Sequence, residues 1–109
     1  MITKKSAIAT FATTTSSVVN LANTDVVTGI IVQNDAAFNS KTLDVLISFD
    51  GTNFFTWYDY EGNKFTITTG AARFIPIDFN TLLGIKAIKF EASASVDGKY
   101  VEVTYADVQ

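Results

Sequence analysis

The residues best placed to do chemistry in this chain stand together between positions 50 and 60. The run Phe54-Phe55-Thr56-Trp57-Tyr58-Asp59-Tyr60 holds five aromatic side chains in seven residues, including the single Trp of the chain. In an extended strand side chains alternate, so Phe55 and Trp57 share one face while Phe54, Tyr58 and Tyr60 share the other. One set belongs to a core; the other is free to meet a partner. Exposed Tyr and Trp would stack on sugar rings or act as rigid anchors in a protein interface, where these residues are enriched. Trp57, Tyr58, Tyr60 and Phe55 are therefore the candidate site residues, with packing of both sets inside the domain as the plainer alternative. Base stacking needs interleaved basic charge, and no Lys or Arg lies between Lys41 and Lys64.

Asp50, Asn53 and Asp59 flank the same run and offer hard oxygen donors for calcium. Their spacing fits no EF-hand, and Asp and Asn in turns usually bond their own backbone, so no metal site is expected. The chain has no His and no Cys, which removes Ser-His-Asp and Cys-His nucleophiles, an imidazole base and a Cys/His zinc cage. Eleven acids are present, yet nothing selects a pair for glycoside hydrolysis. The expectation is a protein that is not an enzyme and carries no cofactor.

With 8 basic and 11 acidic side chains the net charge is −3. Arg73 is the single Arg, so the cationic stripe that phosphate-backbone binding requires is missing and nucleic acid is not an expected partner. Lys4 and Lys5 precede only the short apolar run Ala7-Ile8-Ala9, far from a signal-peptide core. Val26 to Val32 is too short to span a bilayer. Neither export by that route nor a membrane partner is expected.

The elements that must position these residues read as strands. Leu43, Val45, Ile47 and Phe49 alternate with Asp44, Leu46 and Ser48; Phe65 and Ile67 alternate with threonines; Val101, Val103 and Tyr105 alternate with Glu102 and Thr104. Val26 to Val32 is apolar at both parities, as a strand covered on both faces would be. Asp50-Gly51, Glu61-Gly62-Asn63 and Asp97-Gly98 supply the positive φ of tight hairpins. Strands are predicted near 6–12, 17–21, 26–34, 42–49, 54–60, 64–69, 72–79, 85–93 and 99–106. That is an all-β fold, an antiparallel β-sandwich or jelly roll of about eight or nine short strands in a single domain spanning 1–109, with a small closed barrel as the nearest alternative.

Local irregularities refine this frame. Pro76 cannot donate to a ladder, so its strand is an edge or carries a bulge. Ile85 and Ile88 differ in parity, which a bulge near Lys86 and Ala87 would reconcile. Asn80 to Gly84 has the makings of one helical turn ending at Gly84. The Thr-rich stretch from Thr10 to Ser17 suits an exposed strand, so residues 1–20 read either as an extended arm reaching a neighbouring subunit or as an edge strand.

From residue 43 onward the order of features resembles a known group. Val45-Leu46-Ile47-Ser48-Phe49-Asp50-Gly51-Thr52-Asn53-Phe54-Phe55, then Tyr60-Glu61-Gly62-Asn63, Arg73-Phe74-Ile75-Pro76-Ile77-Asp78, Leu83-Gly84-Ile85-Lys86 and Ile88-Lys89-Phe90 resemble small β-sandwich virion structural proteins of tailed bacteriophages. The resemblance covers about 60 of the 109 residues and is one of texture and order. It implies a capsid decoration or cement protein, or a head-fibre component, that stabilises the shell. It further implies location in the virion after assembly in the host cytoplasm, and binding to the major capsid protein or another virion protein. A homo-oligomer, a trimer by preference, comes with it. A carbohydrate-binding module using a Trp/Tyr platform at Trp57, Tyr58 and Tyr60 is the competing expectation.

Overall fold

The computed structural model describes residues 2–69, 71–78 and 80–108. Among them are ten strands: β1 (Thr3–Ala12), β2 (Thr15–Ser16), β3 (Val19–Asn20), β4 (Asp25–Val32), β5 (Thr42–Ser48), β6 (Phe55–Thr56), β7 (Thr66–Thr68), β8 (Arg73–Pro76), β9 (Ala87–Ala92) and β10 (Tyr100–Asp107). Their pairings are antiparallel. One sheet runs β1-β10-β4-β8. The other is built on β5 and β9, with β6 and β7 along the far side of β5 and β2 and β3 along the far side of β9. β1 joins the two: Thr3 to Thr10 pair with β10, then Phe11 and Ala12 pair with β2. The result is an antiparallel all-β sandwich, continuous through β1.

The alternation in the sequence dictates which sides face inward. Leu43, Val45 and Ile47 of β5 oppose Ala92, Phe90 and Ile88 of β9, and all six are buried. Val101 and Val103 of β10 lie between Ala9 and Ala7 of β1 and Val32 and Ile30 of β4. These inner faces form one hydrophobic cluster, extended at the ends by Leu21, Phe38, Leu82, Ile85 and Val96 from loops. Phe38 sits in a short 3₁₀ turn, Ala36–Phe38, that the pattern did not announce; the Asp35 carboxylate accepts the Ala37 amide there at 2.8 Å. Its ring meets Phe11 edge-on at 6.2 Å and 72°. Full burial of such a side chain stabilises by about 1.5–3 kcal/mol.

β4 lies between β10 and β8 within its sheet; Val27, Ile30 and Val32 face the core, while on the outer side Thr28 is exposed and Ile31 half-buried. A register shift between Thr104 and Tyr105 leaves Thr28 as the extra residue opposite β10. That shift changes the parity of β4, so Val27 points inward along with Ile30 and Val32. The Thr28 and Thr104 hydroxyls, 2.9 Å apart, satisfy one another on the outer side.

Three local expectations are settled by position. β8, with Pro76 opposite Gly29, lies at the end of its sheet; Phe79, the last residue of that predicted strand, lies outside the described residues. β9 begins at Ala87, leaving Ile85 outside the ladder as the end of a turn in which its amide donates to the Leu82 carbonyl at 3.4 Å. Ile85 and Ile88 are therefore reconciled by where the strand starts, rather than by the expected bulge at Lys86 and Ala87. The helical turn expected at 80–84 is a pair of successive turns, opened by the Thr81 amide on the Asp78 carbonyl and closed at Gly84, whose φ is 90°. No helix among the described residues is long and apolar enough to cross a membrane.

Candidate functional site

The aromatic run forms a hairpin leaving the second sheet. Trp57 donates its amide to the Val45 carbonyl at 2.8 Å, and Phe65 donates to the Trp57 carbonyl at 2.9 Å, so the base of the hairpin is stitched to β5. Beyond it Tyr58 bridges to Lys64. Asp59 closes the tip: its amide donates to Asn63 at 2.8 Å, its carbonyl accepts from Gly62 at 3.0 Å, and its Oδ1 accepts the amides of Glu61 and Asn63, each at 2.9 Å. Gly62 adopts φ 89°, a conformation that costs glycine little. The Lys64 ammonium is 3.2 Å from Asp44 on β5, a second tie between hairpin and sheet.

The four candidates separate. Trp57 is half-buried, packed on the core and stacked on Phe65 with centroids 4.2 Å apart. Phe55, opposite Ile47 and of the same parity as Trp57, is nevertheless 62% exposed because β6 is only two residues at the sheet margin. Tyr58 is exposed, and Tyr60 at the tip is 98% exposed. Neither alternation set moves as a unit, since side chains stop obeying sheet parity where the hairpin leaves the sheet. Phe54 turns back instead, with the Lys89 ammonium 4.5 Å from its ring centre.

The neighbouring 48–53 turn consumes its own carboxylate. Asp50 accepts the Asn53 and Thr52 amides, each at 2.8 Å, the Asn53 side-chain amide at 2.7 Å and the Ser48 hydroxyl at 3.0 Å. These donors, the Asn53 amide foremost, hold the Asp50 carboxyl well below the usual carboxylate range. Asp50, Asn53 and Asp59 thus serve their own turns, and no trio of acidic side chains gathers among the described residues.

Sequence reasoning passed over a second surface. The outer face of the first sheet exposes Ile2, Ile8 and Phe74. Its signal was the triplet Ala7-Ile8-Ala9, in which either parity looks apolar; in the ladder Ala7 and Ala9 lie beside the inward Val103 and Val101, so Ile8 faces out. Comparison of the chain with family models, with curated proteins and with solved structures found no match.

Proposed function

We propose that the chain is a non-enzymatic structural protein of a tailed-phage virion, a capsid decoration or cement protein that binds copies of itself and the shell. The observation that carries this reading is the aromatic hairpin: Tyr60, Tyr58 and Phe55 stand in solvent on a scaffold fixed by Asp59 and by the Trp57–Phe65 stack. Exposed aromatic surface on a stiff support is suited to docking on a broad protein partner, because little conformational entropy is lost when it is covered. The major capsid protein, or another virion protein, is the partner class. The resemblance from residue 43 onward supports the same reading.

The test is co-sedimentation with capsid shells of the phage that encodes the chain. The wild-type chain pellets with shells, whereas the triple variant Phe55→Ser, Tyr58→Ser, Tyr60→Ser stays in the supernatant with its circular dichroism unchanged. Failure of the wild-type chain to pellet with any shell form contradicts the proposal. The full exposure of Tyr60 also favours a second reading, stacking on sugar rings; a glycan array bound by the wild type and lost in Tyr60→Ala would replace the first.

A further inference from the structure

On the outer face of the first sheet the ladder registers define three rows across the strands. Ile8, Glu102, Ile31 and Phe74 form one; Ser6, Thr104, Gly29 and Pro76 form the next; Lys4, Ala106 and Val26 form the third. Ile8 and Phe74 are each 54% exposed. The Phe74 ring lies over Gly29: a Cβ there would come 2.3 Å from it. That ring, with Ile2, Val26, Ala106 and Val108, lines a half-open groove of about 520 Å³. Lys5 also lines the groove and is paired with Asp25 and Asp107, each at 3.7 Å; two further charges stand on this face, Lys4 and Glu102, and neither side chain has an ion pair or hydrogen bond among the described residues. They lie four residues apart along paired strands, about 13 Å at 3.3 Å per residue, too far to meet within one chain.

We propose that this face is an isologous contact between two copies of the chain, its twofold axis running along the Ser6–Thr104–Gly29–Pro76 row. Rotation about that axis lays the Lys4 row of each copy over the Glu102 row of the other. Sheets packed face to face stand about 10 Å apart, a gap that a Lys and a Glu side chain bridge together. Lys4 of each copy then meets Glu102 of the other, twice by symmetry. The same rotation carries Phe74 and Ile8 of one copy toward the groove of the other, covering apolar surface that a lone chain leaves wet. The unpaired acid and base, placed symmetrically about the central row, single out a second copy as the occupant. This rests on the self-association in the proposed function and replaces the threefold assembly implied by the resemblance with a twofold one.

The experiment is sedimentation equilibrium over a dilution series, with circular dichroism confirming the fold of each variant. The wild-type chain has twice the monomer mass. Glu102→Lys and Lys4→Glu each set like charges together and raise the dissociation constant at least about tenfold, while the double reversal Lys4→Glu, Glu102→Lys restores the dimer. Phe49→Ala, an exposed apolar position just past β5 in the other sheet, leaves the mass unchanged. A monomeric wild type, a trimer, or a dimer that neither single reversal weakens overturns the proposal. Because shell binding is measured on the hairpin variant, loss of the dimer contact and loss of the virion reading are separately visible.

Discussion

Trp57 and Phe65 stack with ring centroids 4.2 Å apart and planes 25° from parallel, one residue on each arm of the hairpin that carries Tyr58 and Tyr60. The stack sits where the hairpin leaves the sheet and packs on the core. It is the joint through which the exposed tyrosines take their direction from the sandwich.

Trp57→Ala is expected to lower unfolding stability by about 2 kcal/mol, below the 3–5 typical of fully buried aromatics because Trp57 is half-buried. Trp57→Phe keeps a ring against Phe65 and loses less. Urea denaturation of the two variants checks this; an Ala variant as stable as wild type would remove the stack as the anchor of the hairpin.

Gly29→Ala places a methyl group 2.3 Å from the Phe74 ring and 3.0 Å from the Ile75 carbonyl. The ring is the free end of an exposed side chain and swings aside, so the loss is modest, about 1 kcal/mol. The expected signature is a change in the Phe74 ring resonances together with weaker self-association. Unaltered Phe74 resonances would contradict the close ring-on-glycine contact.

Gly51 has φ 85°, and a Cβ added there would meet nothing within 4 Å, so any penalty comes from the backbone alone. Gly51→Val is expected to cost about 1–2 kcal/mol, and Gly51→Asn less, since Asn tolerates the left-handed region better. Equal melting temperatures for the wild type and the Val variant would show that this turn relaxes to another conformation.

Acid should loosen the 48–53 turn. The Asp50 carboxyl is depressed in the folded chain relative to its ordinary 3.8, by the Asn53 and Thr52 amides first, and Asp35 moves the same way through the Ala37 amide and Lys99. A carboxyl depressed on folding contributes stability that is present above its unfolded pKa and is lost as pH falls toward the folded value. Between about pH 5 and pH 2 the urea midpoint of the wild type should therefore fall more steeply than that of Asp50→Asn. Parallel slopes would show that the turn donors do not favour the ionised form.

Much of the frame was legible because its causes are local. Leu43, Val45 and Ile47 announce an inward face by alternation, Gly51, Gly62 and Gly98 mark turns by their need for positive φ, and Pro76 marks an edge because it lacks an amide donor. What stayed hidden depends on distant partners. The turn at Thr13 has φ 67° without a glycine, held by Asp97 accepting its amide at 2.9 Å and by the Val96 amide on its carbonyl; it reverses the chain from β1 into β2, which precedes the predicted 17–21 strand, and of that strand only Val19–Asn20 forms, as β3. Burial of Phe38 depends likewise on Phe11, and Thr69 donates its hydroxyl to the Phe38 carbonyl from across the chain. At the candidate site, composition located the hairpin, but parity could not tell that Phe55 faces water while Trp57 turns to Phe65.

Quantitative mass spectrometry of gradient-purified particles decides whether the chain is, as proposed, a built-in component of a virion. The expected result is the chain in intact particles at a fixed ratio to the major capsid protein, retained after a salt wash. A purified particle fraction without it, with the chain left in the soluble lysate, would overturn the proposal.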